Sequence, residues 1–317
     1  MRKKLRAYMD LTLAMFIAGS AVVVSKMMVT SVPVFLATEL GILIGLIFLL
    51  IVTFVIKKEH HQLDIKTVGV LLGQALAGIV LYRVFIFWGL QLTSAANSGL
   101  ISSSGPAIVV ILAFFLLKET ISKNNAIGLA LVIVGLLCIN LYTYFKEGAL
   151  DSSVLGNFLI LIAVIGEGLF SVLSKIKCIP MSPVYRTTLV AAMAFICLLP
   201  FAIHDAWDFP FAKMSLQTIL CICYYGVFVS FISYVLWFQG IEKVTASNAA
   251  IFTSVVPVSS IILAAILLNE KIQLSHLLGM SLIVCGILIA TKKSPVIHTE
   301  INRKKIKKTK TESIEIE

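Results

Sequence analysis

Apolar residues in this chain gather into ten long runs, each separated from the next by a short charged stretch or by Pro and Gly. The runs cover 10–30, 33–56, 67–90, 94–117, 125–143, 154–176, 182–203, 214–237, 246–268 and 274–291. Each is about 18–24 residues, the length at which a helix crosses a hydrocarbon layer of roughly 30 Å. The pattern predicts an all-α, polytopic membrane protein with ten transmembrane helices, of which the fifth and tenth are the shortest. Composition agrees, with 59% hydrophobic residues, 13% charged residues and a mean hydropathy of +1.01. A soluble chain of 317 residues would need far more polar surface.

Two of the runs carry nearly the same phrase. From Pro106 the chain reads PAIVVILAFFLLKE and from Pro257 PVSSIILAAILLNE. An ungapped alignment of 93–137 with 244–288, at an offset of 151, gives fifteen identities in 45 positions. They include Asn97/Asn248, Pro106/Pro257, Glu119/Glu270, Gly128/Gly279 and Gly135/Gly286. Shared apolar residues are cheap in such sequences; Asn, Pro, Glu and two Gly in register mark an internal duplication. Five runs separate the copies. Five is odd, so the second copy enters the membrane upside down, the arrangement of inverted-repeat carriers. Residues 10–143 are then one five-helix repeat and 154–291 the other. A basic segment, 1–9, precedes them and a charged tail, 292–317, follows.

The net charge of +10 does not point to nucleic acid once its distribution is read. With loops numbered alternately from the N-terminus, one side holds twenty basic residues and the other three, namely Lys146, Lys213 and Lys271; Lys26, Arg83 and Arg186 fall inside runs. By the positive-inside rule the basic side is cytoplasmic, with both termini there. The opening MRKKLR before an apolar stretch imitates a signal peptide, but the apolar run continues towards Thr30, too long for one, so an uncleaved first span is expected. The tail is lysine-rich, then acidic, without apolar periodicity; it reads as disordered, with lysines available to anionic lipid. Six cysteines lack metal-ligand spacing and read as free thiols, and neither a metal nor a cofactor is implied.

Mid-span prolines give the duplication a mechanical meaning. Pro106 and Pro257 each remove a backbone hydrogen bond, to the carbonyls of Ser102 and Thr253, and break their helices there. The preceding halves, TSAANSGLISSSGP and VTASNAAIFTSVVP, are small and polar. Such faces either line a wet cavity or pack helices closely through small residues. The short spans, the P…LLxE phrase and the G-x6-G that follows resemble the EamA family of the drug/metabolite transporter superfamily, across about 10–140 and 155–291. The resemblance implies ten helices in two inverted halves, export of small metabolites with amino acids among them, and a cavity lined by spans one, three, four, six, eight and nine. Many members carry an Arg early in the second span where this chain has Glu39; Arg186 in the seventh is the nearer match.

Ionisable groups inside hydrocarbon need a reason, because each costs at least about 2.5–3.5 kcal/mol. Glu167 lies thirteen residues into the sixth span, with Gly156, Ala163, Ser171 and Ser174 on its helical face. A carboxyl group at that depth is a candidate for substrate binding and for proton coupling; the alternative is a hydrogen-bonded Glu within a helix interface. Arg83 shares a wheel face with Leu72, Leu76, Ile79 and Leu90, so a structural Glu39–Arg83 ion pair, or snorkelling, is expected. The opposite stripe of that span, with Gln74 and Tyr82, is the expected cavity wall, joined by Tyr225 at the position equivalent to Gln74 and by Asn97 and Asn248. Lys26, Lys175 and Arg186 lie near span ends, where snorkelling suffices, and Trp88, Trp237 and several tyrosines are either interface belts or ligand stackers.

These readings converge on a secondary transporter for a small organic metabolite, with an amino acid or related compound as a candidate, exporting across the plasma membrane by alternating access. Partners are the small-molecule substrate, membrane lipids and, through Glu167, protons. No G-x4-GK[ST] loop supports an ATP-driven pump, and no HExxH or GxGD supports an intramembrane enzyme. A receptor or scaffold is the remaining rival, and the charged segments are too short for a signalling domain.

Overall fold

The computed structural model describes residues 2–28, 31–93, 95–147, 153–176 and 178–292. The tail 293–317 and the side chain of Lys26 lie outside the described residues. Among the described residues ten helices are long and apolar enough to cross a membrane. They are span one (Lys4–Ser25), two (Val34–Ile56), three (Ile65–Leu92), four (Asn97–Leu117), five (Lys123–Leu141), six (Val154–Leu173), seven (Pro183–Ala206), eight (Leu216–Ile241), nine (Ala246–Leu267) and ten (Leu274–Thr291). The protein is thus an all-α, multi-pass membrane protein. The first helix begins at Arg2, so the basic segment is its first turns and not a separate tail.

Helix starts follow from hydroxyl and carboxylate caps. Asp64, Ser153, Ser182, Ser215 and Thr245 each accept a hydrogen bond from a backbone N–H of the turn they open. Spans four and nine break where the prolines require it. Span four is helical over Ala95–Ser102 and again over Gly105–Leu117, and span nine over Ala246–Thr253 and Val255–Leu267. Hydroxyls bond back to the preceding turn at both breaks, Ser103 to the Gly99 carbonyl and Ser254 to the Ile251 carbonyl.

The repeated phrase ends the same way twice. Lys118 and Asn269 both take left-handed backbone, φ 54° in each. That turn lets the Glu119 N–H reach the Ala113 carbonyl and the Glu270 N–H the Ala264 carbonyl. Glu119 then caps the other half of the molecule. Its carboxylate accepts from the Ala246 N–H at 3.0 Å and from the Ser247 N–H and hydroxyl at 3.1 and 3.0 Å, at the start of span nine. Glu270 follows the far end of that span. Twenty-two residues lie between the two ends, about 33 Å at 1.5 Å per residue, so Glu119 and Glu270 stand at opposite faces. Inverted copies require this.

Packing repeats under the same offset. Span one packs on nine and on eight; six packs on four and on three; two packs on eight, and seven on three. Two with seven, four with nine and five with ten are self-paired. Spans five and ten approach closely along their length. A Cβ at Gly128 would fall 2.6 Å from the Gly286 carbonyl oxygen, and one at Gly135 2.7 Å from that of Gly279. The offset of 151 carries the first contact onto the second.

At the basic face, charged groups tie the spans together. Lys175 Nζ donates to the carbonyls of Ile241 and Glu242, at 2.8 and 3.3 Å, closing the end of span eight. Burial pushes the Lys175 ammonium down and the Glu242 carboxyl up, against the opposing pull of their neighbours' charges. Glu59 in the loop after span two accepts from the Ser182 N–H and hydroxyl and bonds His61 at 2.9 Å. Its partial burial works against the charge, yet these bonds prevail and hold it below the usual carboxylate range.

Candidate functional site

Spans three and eight carry the site because both are locally unwound. Ala75–Leu81 and Tyr225–Ser233 are π-helical, with hydrogen bonds one residue longer than in an α-helix, and the offset of 151 superposes the two stretches almost end to end. Beside them, among spans two, three, seven and eight, lies a partly open cavity of about 50 Å³, room for a few waters. Its polar lining is Thr38 from span two, Arg83 from three, Thr187 from seven, and Tyr225, Ser230 and Tyr234 from eight; Ile42, Ile79, Val190, Ala191, Ala194 and Val229 complete the wall. Glycine admits Tyr225: a Cβ at Gly41 would sit 2.7 Å from the tyrosine ring, and one at Gly45 2.7 Å from Ser230.

Arg83 is the centre of the cluster. Its Nη2 donates to the Tyr225 hydroxyl, and its guanidinium stands 5.9 Å from that ring's centroid. Tyr82, Tyr234 and Glu167 lie within electrostatic reach of it. Glu167 comes from span six. Phe158, Leu161 and Ile165 form the exposed, lipid-ward stripe of that helix. Glu167 is about 200° around from Ile165, among buried Ala163, Phe170 and Ser171, and yet its own side chain is exposed. Glu167 is thus exposed on an inward helix face, and it is not among the residues that line the cavity. Arg83 and Glu167 therefore lie within electrostatic reach of each other, with three tyrosines beside them.

The expected site residues divide. Tyr225 and Tyr82 belong to the cluster with Glu167. Ser171 is buried and turns its hydroxyl to the Glu167 carbonyl of its own helix, at 3.3 Å. Gln74 is fully buried, lines no part of the cavity, and leaves both side-chain polar atoms without a hydrogen bond. Asn97 and Asn248 sit in the first turns of spans four and nine, Asn97 donating to the Thr93 hydroxyl and the Asn248 N–H to the Thr245 hydroxyl, far from the cluster along each helix. Pro106 and Pro257 stand at the two helix breaks.

Four expectations are corrected. The Glu39–Arg83 pair is not formed: Arg83 turns into the cavity, and the buried Glu39 carboxyl makes no hydrogen bond among the described residues. Arg186 does not snorkel; it is 6% exposed, donates to the Leu173 carbonyl at 3.1 Å and stacks 5.0 Å from the Phe238 ring centroid. Trp237 is buried in the core, whereas Trp88 is exposed. The cavity draws on spans two and seven in place of one, four, six and nine, because the glycines of span two let that span pack closely against eight. Sequence reasoning missed Arg83 and Tyr234 as cavity residues. One signal could have found them: they are repeat equivalents, 151 apart, next to the already chosen Tyr82.

Comparison with known proteins places this architecture. The EamA-like transporter family model matches residues 6–141 and 154–292. The uncharacterized transporter YetK of Bacillus subtilis (strain 168) is 37% identical over 296 residues, covering 93% of this chain and 90% of that protein. The uncharacterized transporter YoaV of the same organism is 27% identical over 282 residues, covering 86% and 92%. A solved crystal structure with 18% identity superposes with a TM-score of 0.73 over 92% of this chain and 99% of its own. Two matched halves that together fill the membrane part, and a relative similar along nearly its whole length, establish that this chain belongs to the EamA-like transporter family.

Proposed function

We propose that this protein is a secondary transporter that carries a small organic metabolite out of the cell across the plasma membrane by alternating access. The observation that carries the reading is the approach of Arg83 and Glu167, one from each half, to within electrostatic reach of each other beside Tyr82, Tyr225 and Tyr234. Opposite charges so placed suit a substrate that bears both, such as an amino acid or a related compound. Movement of one half against the other would open the narrow cavity to each face in turn. The excess of lysine and arginine on one face supports cytoplasmic termini.

Export is driven in this reading by the proton gradient or by the metabolite's own gradient, with Glu167 as the proton-coupling group. Metabolite profiling of cells with and without the protein, followed by flux measurements in vesicles on whatever accumulates, tests the transport reading. Saturable countertransport is expected; flux without saturation would indicate a channel. Glu167→Gln in liposomes tests the coupling: unaltered rate and pH dependence would remove Glu167 from that role.

A further inference from the structure

Arg186 is a buried guanidinium with no carboxylate within ion-pair distance among the described residues. Its Nη2 rests on the Leu173 carbonyl, its Nε has no partner, and its flat face lies on the Phe238 ring. The carboxylate that reaches it electrostatically is Glu242, which is exposed and also engaged by the positive charges of Lys175 and Lys243. A lone buried charge is costly, and one carbonyl and one ring face return only part of that cost. The Nε donor of the guanidinium has no acceptor among the described residues.

A second group nearby is incomplete in the same way. Gln74 is fully buried, with neither its amide oxygen nor its nitrogen bonded. Span three, which carries Gln74, packs on span seven, which carries Arg186, and the Leu173 carbonyl accepts from Arg186. The position along the cavity is also defined. Thr187 and Val190, one residue and one turn beyond Arg186, line the cavity, as does Tyr234, one turn before Phe238. Arg186 therefore stands at the basic-face end of the cavity, between it and the lysine-rich loops.

We infer that Arg186, with Gln74 in the same layer, forms a carboxylate-binding subsite where an anionic substrate group entering from the basic face docks before it reaches Arg83. A planar carboxylate matches the free edge of the guanidinium and would supply the missing counter-charge. The role in transport rests on the function proposed above; the binding itself does not.

The test is thermal unfolding of the purified full chain in detergent, where no transport is measured. Sodium acetate, succinate and benzoate are titrated at constant ionic strength, with acetamide, succinamide and benzamide as neutral controls. The wild type is expected to gain Tm saturably with at least one carboxylate and with none of the amides. Arg186→Met should abolish the gain while unfolding no earlier than the wild type without ligand, because it removes an uncompensated charge. Arg186→Lys should weaken the apparent affinity at least about tenfold by losing the fork. The inference is overturned by a wild type that shows no carboxylate-specific rise, or by a rise that survives in Arg186→Met. Were Arg186→Met to misfold, Gln74→Leu and Arg186→Lys carry the same decision, since neither would weaken binding at an unrelated site. Failure of vesicle flux would leave this result standing, and its failure would leave flux untouched.

Discussion

The two halves of the molecule agree in their scaffold and differ at the site. Gly128 and Gly279, Gly135 and Gly286, Pro106 and Pro257, and the left-handed Lys118 and Asn269 occupy matching places and make matching contacts. Within the cavity cluster the match ends. Arg83 faces Tyr234 as its equivalent, Gln74 is answered by Tyr225, and Glu167 by Phe16. Each half thus contributes one charge, of opposite sign, from a different span. The two halves share a frame, and they diverge at a few positions around the cavity.

The sharpest way to break this comparison is at the charges. Arg83→Met and Glu167→Gln should each lower flux in vesicles at least about hundredfold, the equivalent of roughly 3 kcal/mol, while leaving helix content and Tm near those of the wild type. A Tyr234→Phe control at the equivalent of Arg83 should retain more activity than either. The scaffold should answer the opposite way: Gly128→Val and its counterpart Gly279→Val are expected to destabilise by similar amounts, about 1–3 kcal/mol each from overpacking, measured by thermal unfolding. A clear inequality between them would show that the seam between spans five and ten is not two-fold.

Smaller effects refine the picture. Tyr225→Phe removes the hydroxyl that holds Arg83 and should cost about tenfold in flux, in line with about 1–1.5 kcal/mol for one hydrogen bond, without moving Tm. The smallest expected effect is at the basic face. Glu59 is held below its ordinary value in the folded protein, so its contribution is fully present above the unfolded carboxylate value, near pH 4.3, and is lost as the pH falls through the lower folded value. Acid unfolding monitored by tryptophan fluorescence should show that loss in the wild type, whereas Glu59→Gln should lack it and be less stable only above that pH window.

Much of the fold was legible because long apolar runs and a gap-free offset carry it: the spans, the duplication and both helix breaks follow from residue type and position. Arg83 was not legible, for a geometric reason. A wheel drawn at about 100° per residue puts it with Leu72 and Leu76, and those two do face outward. The π-helical turns of Ala75–Leu81 then shift the phase, so Ile79 and Arg83 emerge on the cavity side. No periodicity argument sees that shift in advance. Glu167 was legible because span six stays α-helical throughout, and the wheel keeps its register. The role of Glu119 as a cap was hidden for another reason, since its acceptor contacts lie 127 and 128 residues away.

That last contact bears on how the chain is made. When Glu119 enters the bilayer during synthesis, the helix start it will cover has not yet been translated, and its carboxylate must stay hydrated at the surface until the ninth segment arrives. The first half can therefore be inserted early but not finished early, and a fragment ending before Ala246 should be handled by the cell as an incomplete product.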